Sequence, residues 1–251
     1  MELTVVGCSG SYPGPQSPAS CYLLTADSGQ RRWRILLDLG NGSLGALHRY
    51  ADPLDIDAVV FSHLHPDHCL DLCGCFVLRK YHPDGLRPRI RVWGPAGVAD
   101  RMARAYDLEP DPGMHEVFEF HEFEQAFDVG PFRIEPVPVL HPVPAFALRV
   151  EAGGRVLTYS GDTAACAGLV RAAAGADLLL AEASFLDGVP NPVGIHLTGT
   201  EAGLAAREAG AARLLVTHIP PWHDSSVVLA AASSAFAGPC ELAVPGASYR
   251  I

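Results

Sequence analysis

Three histidines and an aspartate lie close together in residues 61–68, directly after an apolar stretch. His63 and His65 are two positions apart, so in extended backbone their side chains point the same way. The proline that follows turns the chain, which lets Asp67 and His68 face the same space from another direction. Imidazole and carboxylate suit Zn²⁺, with Mn²⁺ or Fe²⁺ as alternatives. Because packing four such groups together without a cation is costly, the segment predicts a metal site rather than a solvated loop.

Three more candidate ligands stand at the ends of apolar, strand-like segments. His141 follows Pro138–Leu140, Asp162 follows the segment that ends at Gly161, and His218 follows the segment that ends at Thr217. Side chains at strand ends of α/β folds leave the core while the sheet holds them rigidly. Together with the first segment they predict a site for two ions: one held by His63, His65 and His141, the other by Asp67, His68 and His218, with Asp162 bridging both.

The pattern H-x-H-x-D-H, followed by the single His, Asp and His, resembles that of the metallo-β-lactamase superfamily. This resemblance runs from Met1 to the end of the chain. It implies an α/β fold with four layers, an αββα sandwich of mixed sheets, with the metals at one edge. Leu36–Gly40 resembles the family's early strand, so Asp38 takes the role of supporting the metal site. Asp rather than Cys at position 162 is similar to the phosphodiesterase and ribonuclease branches.

Segments 181–185, 194–198 and 216–221 resemble the ribonuclease Z-like group. In that group an additional histidine, here His196, acts near the scissile phosphate, and Glu182 is its orienting partner. The sequence supports this placement independently, because the segment Thr198–Glu201 has the pattern of a helix capping box. His196 would then precede a helix N-terminus, where free N–H groups favour an anion. We therefore assign catalytic roles to Asp67, His196 and Glu182.

The opening segment Thr4–Ser11 and the overall pattern are most similar to bacterial cyclic-nucleotide phosphodiesterases of this superfamily. The resemblance implies hydrolysis of a cyclic nucleotide, with 3′,5′-cAMP as the expected substrate, by a hydroxide that two divalent ions activate. The alternatives are a ribonuclease Z-like tRNA 3′-end endonuclease, a thioester or lactam hydrolase on the same scaffold, and a non-enzymatic metal-binding module. Members that process tRNA carry a long arm between the positions of His141 and Asp162. Only a hairpin around Gly153-Gly154 fills that interval here, which disfavours tRNA.

Strand and helix patterns alternate along the chain, which predicts an α/β fold, and hairpins within it predict mixed sheets. No linker interrupts the pattern, so we expect a single hydrolase domain over residues 1–251. Prolines within 132–140 predict an edge or a bulge in that strand. The predicted strands are 3–6, 21–25, 33–38, 58–61, 90–93, 132–140, 146–150, 156–159, 178–180 and 214–216, and the predicted helices are 42–50, 69–81 and one from about Thr198.

The amino-acid composition limits the classes of molecule that the chain is expected to bind. The chain has 251 residues, 49% of them hydrophobic, and a net charge of −10 from 18 Lys and Arg against 28 Asp and Glu. This excludes intrinsic disorder. Because the sequence shows no evident Lys/Arg cluster, we expect a small-molecule phosphodiester as substrate and no long nucleic acid.

The sequence also bears on location and assembly. It contains neither a signal-peptide pattern nor a membrane-spanning stretch, so we expect no membrane partner. Its seven cysteines, an odd number, favour a reducing cytoplasm. The family resemblance suggests a homodimer.

Overall fold

A computed structural model describes all 251 residues of the chain. The fold contains two seven-stranded mixed sheets, of which the first has the strand order β14-β1-β2-β3-β4-β5-β6. Strand β14 pairs with β1, so the C-terminus returns to the sheet that the N-terminus begins. The strands of this sheet are β1 (Glu2–Gly7), β2 (Cys21–Ser28), β3 (Arg31–Leu37), β4 (Ala58–Val60), β5 (Ile90–Gly94), β6 (Phe118–Glu122) and β14 (Ser248–Arg250).

The second sheet has the order β13-β12-β11-β10-β9-β8-β7. Its first four strands along the chain form an antiparallel meander, and the remaining strands join in parallel. The strands are β7 (Phe127–Val129), β8 (Phe132–Pro138), β9 (Phe146–Ala152), β10 (Arg155–Tyr159), β11 (Leu178–Glu182), β12 (Leu214–Thr217) and β13 (Cys240–Leu242).

Helices cover the outer face of each sheet, and this confirms the four-layer αββα sandwich. Ile35 and Leu37 of β3 point into a core between the sheets, whereas Leu36 points into a core under the first helices. Since both faces of the strand are buried, its sequence is continuously apolar there. The helices are α1 (Ser43–Leu47), α2 (Pro66–Cys69), α3 (Leu72–Lys80) and α4 (Val98–Ala105) on the first sheet, and α5 (Ala167–Ala173), α6 (Gly199–Ala209) and α7 (Ser225–Ala235) on the second. Every helix is too short or too polar to cross a bilayer.

Parallel pairing brings the loops that carry the predicted metal ligands to one edge. In the first sheet β3, β4 and β5 run in the same direction, and in the second β10, β11 and β12 do so. The carboxyl ends of parallel strands lie at a common edge, so the loops after these strands meet. The backbone N–H of Phe146 donates to the carbonyl of Ser62 and joins the two sheets at this edge.

The helix predicted over 69–81 is confirmed as α3, but it begins at Leu72 instead of Cys69, because Cys69 ends α2 and the chain breaks at Asp71. The N–H of Asp71 donates to the carbonyl of Leu39, and its carboxylate accepts from the N–H of Leu44. Asp71 therefore serves the loops that follow β3 instead of continuing a helix.

The prolines of β8 lie where one side of the strand has no partner. Strand β7 covers only Phe132–Ile134, so Pro136 and Pro138 pair with β9 alone. The missing N–H of proline costs nothing on an unpaired side. The prediction of a local edge is confirmed, although the strand ends at Pro138 and not at residue 140.

The expectation that the chain has no Lys/Arg cluster is wrong, because the folded chain brings arginines together. Three separate segments converge where β3 and β5 begin, at the edge opposite the loops that carry the predicted metal ligands. Six arginines line one cavity there: Arg31, Arg32, Arg34, Arg79, Arg89 and Arg91.

The capping box that begins α6 generates a stability prediction. Thr198 accepts from the N–H of Glu201, and the carboxylate of Glu201 accepts from the N–H of Thr198. Thr198→Ala should lower the free energy of unfolding by about 1 kcal/mol, because it leaves a helix N–H without its acceptor. Urea denaturation followed by circular dichroism measures the loss. Thr200→Ala, which removes a hydroxyl without a hydrogen bond, is the control, and equal midpoints for the two variants would contradict the prediction.

Candidate metal centre

All seven predicted ligands converge at the shared edge of the two sheets. The loop after β4 supplies His63 and His65, and helix α2 supplies Asp67 and His68. The loops after β8, β10 and β12 supply the three remaining groups. Their ligand atoms form two sets, each with its members within 4.8 Å of one another: His63, His65, His141 and Asp162; and Asp67, His68, Asp162 and His218.

The first set consists of three imidazoles and one carboxylate. Nε2 of His63 lies 3.1 Å from Nδ1 of His65, which lies 3.2 Å from Nε2 of His141. Oδ2 of Asp162 lies 3.6 Å from Nε2 of His63. Three ring nitrogens that face one another cannot all be satisfied by mutual hydrogen bonds, whereas one divalent cation can accept them all.

The second set shares Asp162 with the first. Nε2 of His68 lies 3.2 Å from Oδ1 of Asp162, and Nε2 of His218 lies 3.3 Å from Oδ2 of the same carboxylate. Oδ2 of Asp67 lies 3.5 Å and 3.7 Å from the same two nitrogens. Both Nε2 of His68 and Oδ1 of Asp162 are buried without a hydrogen-bond partner. Such unpartnered atoms, aimed at a common point, fit the coordination of divalent metal ions.

The pKa shifts of the ligand groups also favour the binding of cations. Burial lowers the pKa of His63, His65 and His141, which favours the neutral imidazole that binds metal. Burial alone would raise the pKa of Asp162 and Asp67, but the adjacent imidazoles outweigh it and hold both below the usual range. The first set therefore presents neutral nitrogens, and both carboxylates are ionised.

A fully buried Asp38 supports this centre from behind, in the role that the family resemblance gave it. Its carboxylate accepts from Nδ1 of His68 at 2.7 Å and from the hydroxyl of Tyr159 at 2.8 Å. The backbone N–H and the hydroxyl of Ser62 donate to it as well. Burial would lower the pKa of His68, but the Asp162 and Asp38 carboxylates raise it well above the usual value. Asp38 holds the proton at Nδ1, and a cation at the centre would take the place of the second proton, at Nε2.

The other imidazoles are oriented by groups that sequence reasoning missed. Nδ1 of His141 donates to the carbonyl of Ile195 at 2.8 Å, and Nδ1 of His218 lies 2.9 Å from the hydroxyl of Ser20. Serine and a backbone carbonyl carry no sequence signal of such a role. Each contact fixes a ring through Nδ1 and turns Nε2 toward the centre, as an outer hydrogen bond does in metal sites. Nε2 of His218 also accepts from the N–H of Ser11 at 3.4 Å.

Backbone strain is concentrated at the centre. Asp38, His218 and Ser11 adopt positive φ values of 59°, 56° and 62°. Such a conformation costs a residue other than glycine about 1–2 kcal/mol. Gly161, at φ 58°, has no room for a side chain, because a Cβ there would lie 2.8 Å from that of Ser62. The tight turns place ligands that a relaxed backbone would aim elsewhere.

His196 and Glu182 form a third group beside the two sets. Nδ1 of His196 donates to Oε1 of Glu182 at 2.8 Å and lies 3.9 Å from Oδ2 of Asp162. Burial would lower the pKa of His196, but Glu182 raises it to about 9. Burial raises the pKa of Glu182, whose carboxylate also accepts from the N–H of Thr163. A protonated imidazole at the edge of the centre can donate a proton to an adjacent leaving group.

Comparison with known proteins agrees with this geometry. Residues 33–219 match the model of the β-lactamase superfamily domain. An uncharacterised protein of Mycobacterium tuberculosis is 42% identical over all of this chain and 92% of its own length. A ribonuclease Z of Myxococcus xanthus is 30% identical over all of this chain and 98% of its own. The crystal structure of the metallo-β-lactamase fold protein YhfI from Bacillus subtilis superposes with a TM-score of 0.86 at 26% identity, covering 99% of this chain and 98% of that one.

The shared carboxylate makes metal content testable. Asp162→Ala removes a ligand from both sets, so metal content measured by inductively coupled plasma mass spectrometry should fall well below that of the wild type. Asp128→Ala, which removes an exposed carboxylate from β7, should retain the wild-type content. Equal metal content in the two variants would rule out Asp162 as the common ligand.

Proposed function

This chain belongs to the β-lactamase superfamily and is a metallo-hydrolase, and from that premise we propose that it is a phosphodiesterase acting on a cyclic nucleotide, 3′,5′-cAMP. The observation that carries the proposal is the hydrogen bond of 2.8 Å between His196 and Glu182, beside Asp162, the carboxylate that both ligand sets share. A proton donor at that position suits a phosphodiester, whose leaving oxygen needs a proton. A thioester or lactam hydrolase has no evident use for it.

In the proposed reaction, separate residues hold the metal ions and donate the proton. The two ligand sets would hold two divalent ions, and their imidazole-rich chemistry favours Zn²⁺. Bound ions of this kind supply a nucleophile derived from water and neutralise phosphate oxygens. Glu182 holds Nδ1 of His196, so Nε2 carries the proton that passes to the leaving 3′-oxygen as its bond to phosphorus breaks. General acid help of this kind is worth about 10²–10⁴ in rate.

A small substrate suits the surroundings of the centre. Between His141 and Asp162 the chain forms only β9, β10 and their tight turn, all within the sheet. A cavity of about 330 Å³ adjoins His65 and is lined mainly by apolar groups, with Arg101 as its one cation. Such a cavity can take a nucleoside moiety, while a guanidinium can bind a phosphate oxygen.

A tRNA 3′-end endonuclease is the second candidate, favoured by the name of the Myxococcus relative. That protein aligns over 308 positions although this chain has 251 residues, so it carries segments that are absent here. The net charge of −10 and the position of the six arginines, at the edge opposite the metal centre, favour the smaller substrate.

The seven free cysteines support a cytoplasmic location for this activity, because unpaired thiols persist in a reducing compartment. Assembly as a homodimer stays a prediction.

A substrate panel tests the proposed function. The protein, loaded with Zn²⁺ or Mn²⁺, is assayed with 3′,5′-cAMP, a 2′,3′-cyclic nucleotide, bis-p-nitrophenyl phosphate, a precursor tRNA and a thioester. We expect the highest kcat/KM for 3′,5′-cAMP, with 5′-AMP as the product by chromatography. Cleavage of the tRNA with no turnover of cAMP would replace the proposal by its alternative, and turnover of the thioester alone would remove both.

His196→Ala tests the proton donor. The variant should lose about 10²–10⁴ in kcat while metal content stays at the wild-type value, because His196 belongs to neither ligand set. The exposed His48→Ala is the matched control and should keep full activity. A fully active His196→Ala enzyme, or one that has lost its metals, would refute the assigned role.

A further inference from the structure

A second cavity, of about 620 Å³, lies at the sheet edge opposite the metal centre. Its walls include the beginnings of β3 and β5, the end of α3 and the segment that precedes β4. Because β4 runs from this cavity to the loop that carries His63, a whole strand separates the two sites. The volume falls in the range of sites for small molecules.

The cavity carries an excess of positive charge. Its six arginines face three carboxylates, in a chain whose overall charge is −10. Arg31 forms an ion pair with Asp57, and Arg34 lies 3.7 Å from Asp55. The third carboxylate, of Glu119, lies 3.2 Å from His121 instead of an arginine.

Three of the arginines have no carboxylate partner. Arg79 is only 2% exposed, and its Nη2 donates to the carbonyl of Pro88 at 2.6 Å. Its Nε and Nη1 have no hydrogen-bond partner. Arg89 is exposed and forms no ion pair, and the guanidinium of Arg91 lies 5.1 Å from the ring of Trp93 without an ion pair. Gathering like charges around a concave wall is unfavourable unless an anion joins them.

We propose that this cavity binds the polyphosphate group of a small anion. Guanidinium groups match phosphate oxygens in geometry and stay charged at every physiological pH. The three unpaired arginines, one on α3, one just before β5 and one in β5, match an anion with at least three negative charges spread along a chain, such as tripolyphosphate or the triphosphate of a nucleotide. The site is independent of the phosphodiesterase activity proposed above.

The aromatic groups indicate that phosphate, and not a base, is recognised. Arg31 lies 3.9 Å above the ring of Trp33, and Gly130 packs against that ring as well. These contacts occupy surface of the ring that a stacked nucleobase would need. Proteins that bind single-stranded RNA combine cations with free stacking platforms along a groove. A concave pocket without such a platform favours a compact polyanion.

Isothermal titration of the metal-loaded protein tests the proposal. Tripolyphosphate and ATP should bind with similar affinity, and orthophosphate at least tenfold more weakly. Similar affinities for the first two identify the shared polyphosphate group, whereas markedly tighter binding of ATP would assign the site to the nucleotide. Arg89→Ala combined with Arg91→Ala should weaken tripolyphosphate binding at least tenfold, while Arg207→Ala, an exposed arginine on α6, leaves it unchanged. The phosphodiesterase rate of the double variant should equal that of the wild type.

The outcomes separate this site from the metal centre. Binding should persist in Asp162→Ala, so loss there would assign the anion to the metal centre and overturn the proposal. Unchanged affinity in the arginine double variant, provided its circular dichroism is native, would overturn it too. An RNA decamer that binds more tightly than tripolyphosphate, and loses affinity in the same variant, would replace the small anion by a nucleic acid.

Discussion

A carboxylate cannot be buried among imidazoles at the junction of two sheets unless positive charge accompanies it, and Asp162 is in that position. Its two oxygens face His63, His68 and His218, and one of them has no hydrogen bond. The surrounding fold holds the imidazole rings through their outer nitrogens, so that their inner nitrogens face the place where cations would bind. Asp38 does so most directly, with four donors directed at one carboxylate.

The ligand residues were predictable because their spacing is local or their position follows a strand. The segment that holds His63 and His65 has a dense pattern, and Asp162 follows an apolar run, so sheet geometry alone places them together. The supporting groups were not predictable. Ser20 and Tyr159 belong to common residue types, and only the completed fold brings them to His218 and Asp38.

The same limit explains the missed helix break and the missed arginine cluster. Asp71 ends a helical pattern because Leu39 and Leu44, far earlier in the chain, use its N–H and carboxylate. Arg89 and Arg91 meet the arginines of β3 because parallel strands align their starting points, and Arg79 joins them from the end of α3. Interactions of this kind depend on tertiary contacts, which local propensity does not encode.

That residues 1–251 form a single domain stays a prediction.

The contacts between the loop after β1 and His218 have a consequence for biosynthesis. Ser20 holds the ring of His218, and the N–H of Gly10 donates to the carbonyl of Ile219. A chain still emerging from the ribosome therefore lacks His218, one of the four members of the second ligand set, until 218 of its 251 residues have been translated. The second ligand set is therefore completed later in synthesis than the first, whose last member is Asp162.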